Sequence, residues 1–127
     1  MAAIGRLHHL ILDCPDPTAC AMFYSRLLGM SITYLGEDFA VVAADDATSG
    51  IAFQLAPDNP APTWPAPGVP QQMHLDVMVD DMDAAVAAVR ALGAAELSSD
   101  RHVFADPAGH PFCLIPRPSW AAPVNPE

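Results

Sequence analysis

One pattern occurs twice in this chain, and that repetition limits the fold more than any other feature. His9 opens an alternating run that ends at Asp16; a helical pattern follows and closes at Gly29. His74 opens a comparable run that ends at Asp81, again followed by a helical pattern that closes at Gly93. The histidines and the aspartates are each offset by 65 residues, and the glycines by 64. A fixed offset of this size marks one supersecondary unit used twice. The repeat continues downstream, where Gly50-Ile51-Ala52-Phe53-Gln54-Leu55-Ala56-Pro57 and Gly109-His110-Pro111-Phe112-Cys113-Leu114-Ile115-Pro116 share the pattern G-x2-F-x-L-x-P.

Periodicity assigns elements to each copy. Leu7 to Cys14 alternates as a strand, with His9, Ile11 and Asp13 on one face and His8, Leu10, Leu12 and Cys14 on the other. Asp16 is placed to cap a helix over 17–28, and Pro17 suits the first helical position, where an N–H is not needed. Ala19, Phe23, Leu27 and Met30 follow at helical spacing, and Gly29 is placed to end the helix in a left-handed conformation. Strands are expected over 31–35, 39–44 and 51–55, so module one, residues 7–57, reads βαβββ. Module two, residues 73–116, repeats the order. It has a strand over 73–79, a helix over 82–92 with Ala85, Val86, Val89 and Leu92 as its buried stripe, and strands over 95–98, 102–105 and 111–115. The fold class is α+β, two tandem βαβββ modules whose curved mixed sheets surround a shared cavity. Residues 58–72, with many prolines and no periodicity, form a stiff linker, and 117–127 an extended or frayed tail. Trp64 in the linker either staples it to the body, the commoner arrangement, or walls a ligand site.

The chain has 127 residues, and modules of about 60 residues are marginal alone, so they share a core or complete each other in a homodimer. The three cysteines, Cys14, Cys20 and Cys113, have no framework spacing and suit reduced thiols in the cytoplasm. The N-terminal run is a poor signal peptide, and no apolar run approaches the ~20 residues that span a bilayer. The net charge of −10 repels phosphate backbones and anionic lipids, which excludes nucleic acid and membranes as partners. Such charge more often serves solubility alone, though it also suits a cationic or neutral small ligand.

Strand parity places the chemistry. Leu10 and Leu12, Phe53 and Leu55, Leu75, Val77 and Val79, and Phe112 and Leu114 are the apolar sets that must cover a core. The opposite faces carry His9, Ile11, Asp13 and Gln54 in module one, and His74, Asp76, Met78 and Cys113 in module two. A concave wall with a few convergent polar groups is how small-molecule sites are usually built. Ile11, Ala52 and Met78, with Trp64, would supply apolar surface beside these groups. His8 is expected in the packed face, Met22 and Met30 in the core, and His102 and His110 in solvated turns.

The repeated module, with HLILDCPD, MHLDVMVDD and DPAGHPFCL as its most specific stretches, resembles the vicinal oxygen chelate superfamily over residues 7–116. That group includes glyoxalase I, extradiol dioxygenases, fosfomycin resistance proteins and bleomycin-binding proteins. The resemblance implies metal ligands on the first and last strands of each module. Those positions are His9 and His74, matching the usual His, and Gln54 and Cys113, where the family's enzymes carry Glu. Two imidazoles and an amide supply no negative charge for a hard ion. Cys113 as a thiolate would complete a His₂Cys set suited to zinc, but a lone Cys in an apolar strand is more often a buried filler. Asp13 and Asp76 either substitute as ligands, hold the imidazoles, or face a wet cavity.

Two function classes follow. The first is a non-catalytic protein of the bleomycin-binding type. It would sequester an aromatic or cationic natural product and carry no stoichiometric divalent ion. The alternative is a metal-dependent lyase, isomerase or dioxygenase using His9, Gln54, His74 and Cys113.

Overall fold

The computed structural model describes residues 2–125. The chain divides into two compact units between Asn59 and Pro60. The first holds β1 (His9–Cys14), α1 (Pro17–Leu28), β2 (Ser31–Leu35), β3 (Phe39–Ala43) and β4 (Gly50–Leu55). The second holds β5 (Leu75–Val79), α2 (Met82–Ala91), β6 (Ala95–Ser98), β7 (Val103–Ala105) and β8 (Pro111–Pro116). Each is βαβββ, and each forms one mixed four-stranded sheet, ordered β1-β4-β3-β2 and β5-β8-β7-β6. The fold is therefore α+β with two modules of one topology, as the repeat predicts.

The caps explain the helix starts. Asp16 and Asp81 are extended residues whose side chains accept the amides of Ala19 and Ala84, both at 3.1 Å. Gly29 ends α1 in the left-handed region, a conformation that costs glycine little. The strand starts differ from the periodicity. β1 begins at His9 and β5 at Leu75, two residues later than the alternation suggests, because the paired register starts there, His9 opposite Gly50 and Leu75 opposite Phe112.

The buried face of α1 is also rotated from the expected stripe. Pro17, Cys20, Ala21, Phe23 and Tyr24 are buried, while Ala19, Leu27 and Met30 are only half-buried and Met22 is 54% exposed. The cause is Tyr24, which stacks on Phe53 of β4 with ring centroids 5.3 Å apart. The second module keeps the expected stripe on α2, with Val89 at its centre and Ala85, Val86 and Leu92 half-buried. Its core is built around Phe104 and Phe112, paired across β7 and β8 and stacked at 6.1 Å. Among the described residues no helix is long and apolar enough to cross a membrane.

Two polar devices stabilise module two. The tail, expected to be extended or frayed, is tied down at Asp80. That carboxylate accepts Arg117 Nε at 2.7 Å and the amides of Val124 and Asn125. The Arg117 guanidinium, with these amides, holds the Asp80 carboxyl below its usual range.

The second device is the Asp106-to-His110 turn joining β7 to β8. Asp106 is buried, and its Oδ1 accepts the amides of Ala108 and His110. Its Oδ2 lies 2.6 Å from His110 Nδ1, so His110 is a largely buried partner rather than a solvated turn residue. Removing a buried acceptor strands its donors, which costs more than the bond itself contributes. Asp106→Ala should lower stability by about 2–3 kcal/mol, measured as a lower urea midpoint with an unchanged slope. An unchanged midpoint would show that the turn does not depend on this carboxylate.

Candidate functional site

In module one the parallel register sets His9 beside Gly50, Ile11 beside Ala52 and Asp13 beside Gln54. The antiparallel register carries the same face on to Val41, opposite Ala52, and Phe39, opposite Gln54. Tyr34, opposite Val41, completes it beyond a register shift in β2. Leu12, Cys14 and Phe53 bury the other face. On the open face Ile11 is 48% exposed, Asp13 and Gln54 are exposed, and Ala52 is fully buried.

A cavity of about 390 Å³ lies on this face, lined by His8, His9, Ile11, Tyr34, Phe39 and Val41. Its walls are mostly apolar, and its polar groups are two imidazoles and a phenol. His8 is not in the packed face, because the strand begins one residue later. It is exposed, with its ring 3.7 Å from that of His9. Tyr34, Phe39 and Val41 were outside the sequence-based site. Extending strand parity from β4 to β3 would have found the last two.

His9 is held from the neighbouring strand. The Gly50 amide donates to His9 Nδ1 at 3.3 Å, an arrangement that in the neutral ring leaves Nε2 to carry the proton. Gly50 is required there, because a Cβ would collide with the Val42 carbonyl and Ala43. Desolvation, then the adjacent His8, push the His9 pKa below its ordinary value. His9 is thus a neutral hydrogen-bond donor through Nε2. Among the described residues His9 is not gathered with two other metal-ligating side chains.

Module two uses the equivalent face differently. His74 directly precedes β5, Asp76 lies within it, and Asp76 pairs with Cys113 across the parallel register. His74 and Asp76 are exposed, Met78 is 38% exposed, and Cys113 is half-buried. His74 Nε2 lies 3.5 Å from Asp76 Oδ1. One ligand atom from each of His74, Asp76 and Cys113 falls within 4.8 Å of the others. Desolvation, then the Asp76 carboxylate and its hydrogen bond, push the Cys113 thiol up. The metal-free thiol therefore donates to Asp76 and is a poor nucleophile at neutral pH.

The expectation of no metal rested on a donor set without a carboxylate. Asp76 supplies one, so a borderline divalent ion fits the donor chemistry of module two. Trp64 is half-buried and lines a separate cavity of about 330 Å³ with Val69, Gln71, Gln72 and His74. It is a wall of that cavity. Gln54, by contrast, lies in a cavity of about 470 Å³ with Asp38, Phe39 and Pro57, where no metal-binding partner is gathered among the described residues.

The sequence matches the glyoxalase-like domain family over residues 9–115, and the chain belongs to that family. No curated protein matches it. Among solved structures, a possible glyoxalase from Bacillus cereus superposes with a TM-score of 0.61 at 17% identity, covering 89% of this chain and 99% of that one. A glyoxalase/dioxygenase from Nostoc punctiforme gives 0.62 at 18% identity, covering 94% and 97%. The trypanothione-dependent glyoxalase I of Leishmania major gives 0.58 at 17% identity, covering 88% and 86%. At these identities the likeness shows the fold, which agrees with the vicinal oxygen chelate resemblance of the repeat.

The electrostatics of the two histidine rings lead to a titration experiment. An NMR titration should place the His9 midpoint below the ordinary 6.5, and His8→Ala should move it upward by removing the adjacent ring. A midpoint at or above 6.5 would contradict the close, desolvated arrangement of the two rings.

Proposed function

We propose that this protein binds a small aromatic, cationic natural product in the module-one cavity and releases it unchanged. The observation that carries this reading is the cavity itself. Its volume, about 390 Å³, falls within the size of small-molecule sites. Its walls offer the rings of Tyr34 and Phe39, 6.4 Å apart and tilted by 57°, and the His9 Nε2–H as a donor. Aromatic faces favour flat and cationic ligands, and the net charge of −10 concentrates cations nearby. The cavity lining holds no carboxylate or thiol among the described residues. Sequestration of an antibiotic-like compound is the biological role this chemistry suits. The reading carries a cytoplasmic homodimer as its setting, motivated by the marginal size of each module and by cysteines without disulfide-framework spacing.

A second reading is a metal-dependent lyase, isomerase or dioxygenase. The cluster of His74, Asp76 and Cys113 favours it. A bound ion would polarise adjacent oxygens of a substrate and stabilise negative charge developing there.

Titration calorimetry against a panel of flat aromatic amines, followed by mass analysis of the recovered compound, separates the two readings. Binding without chemical change is expected, weakened at least about tenfold by Phe39→Ala, a loss of roughly 1.4 kcal/mol. Conversion of the compound by metal-free protein, or equal affinity in the Phe39→Ala variant, would overturn the binding reading.

A further inference from the structure

We propose that His74, Asp76 and Cys113 form a three-donor site for zinc or a similar borderline ion, contained wholly in the second module. The set differs from the one the family resemblance implies, which would draw His9 and Gln54 from module one. It arises from two simple facts of the strand geometry. Residues 74 and 76 are two apart along one extended stretch and so share a face. Cys113 is the register partner of Asp76 on the neighbouring parallel strand. The three donor atoms already lie within 4.8 Å of one another. Tetrahedral zinc, with bonds of about 2.0–2.3 Å, needs donors roughly 3.3–3.8 Å apart. Small side-chain rotations at exposed His74 and Asp76 close that difference.

The donor chemistry selects the ion. One imidazole nitrogen, one carboxylate oxygen and one sulfur suit Zn²⁺ or Co²⁺ and leave Mg²⁺ and Ca²⁺ without the oxygen ligands they need. On binding, the Cys113 S–H bond breaks, its proton passes to solvent, and a sulfur–metal bond forms. The carboxylate and thiolate then balance the ion's two positive charges. No oxidant or reductant is involved. His74 also lines the cavity of about 330 Å³ that Trp64, Gln71 and Gln72 help to form. Three protein donors leave a fourth coordination position, and that cavity adjoins one of the three. The inference goes beyond the module-one binding reading and does not depend on it.

The test is titration of the whole metal-free chain with Co²⁺, read by absorption, with Zn²⁺ stoichiometry measured in parallel by elemental analysis after dialysis. One ion per chain is expected, with intense visible bands of tetrahedral cobalt and a thiolate-to-cobalt charge-transfer band. Cys113→Ser and Cys113→Ala should both abolish the charge-transfer band. His74→Gln and Asp76→Asn should weaken binding at least about tenfold, the lower limit expected even for outer partners of a metal site. Circular dichroism checks that each variant keeps its fold. Gln54→Ala should leave stoichiometry and spectrum unchanged. No bound ion, a charge-transfer band retained in both Cys113 variants, or loss of the ion in Gln54→Ala would each overturn the proposal. Ligand binding in module one is read by separate variants, so failure of either proposal leaves the other distinguishable.

Discussion

Each module is organised by a parallel pairing between its first and last strands. A parallel pair cannot be closed by a tight turn and needs a long crossover, here a helix and two further strands. That requirement explains the long interval between His9 and Gly50, which end up side by side. It also explains why residues remote in sequence share a face: Asp13 meets Gln54 in module one, and Asp76 meets Cys113 in module two. Once the apolar set on one face is buried against the helix, the other face is left to carry the polar groups. A register shift of one residue would exchange the two faces, burying the polar groups and exposing Leu12 and Phe53.

The same scaffold supports two different surfaces. In module one the face is apolar beyond His9, because β2 and β3 contribute Tyr34, Phe39 and Val41. The Gly50 amide donates to His9 Nδ1, and the absence of a side chain at Gly50 allows β4 to pass close to Val42 and Ala43. In module two the face carries an imidazole, a carboxylate and a thiol in one small cluster. Duplication has kept the strand order and diversified the lining. The first surface suits a flat organic ligand, and the second suits a cation.

Much of this was legible in the sequence, and the misses have physical causes. The helix starts at Pro17 and Met82 could be read directly, because a capping carboxylate acts within three residues of its own position. Strand starts could not, since they depend on where a partner begins. That dependence also moved His8 from the packed face to the exposed one. Met22 was expected in the core, yet the rotation of α1 is set by Tyr24 against Phe53, a contact between elements that periodicity does not contain. Asp13, Gln54, His74, Asp76 and Cys113 do lie on the open faces, as strand alternation requires. Their grouping was less accessible. Phe39 and Val41 join the face only through the antiparallel register of β3 with β4, which alternation within a single strand does not contain. Asp76 was read as one of several alternatives, because its pairing with Cys113 is a matter of register. His110 was taken as solvated, although the D-P-A-G-H spacing places it within reach of the aspartate that caps its own turn.

The central claim is that function resides on the open faces of the sheets, with module one providing the ligand cavity. Backbone amide NMR with and without a bound aromatic amine tests it most directly. The account predicts that the largest shifts fall on His9, Ile11, Phe39 and Val41, with the helix face of the same sheet little changed. Shifts concentrated on α1 or α2, with those four residues unmoved, would contradict it.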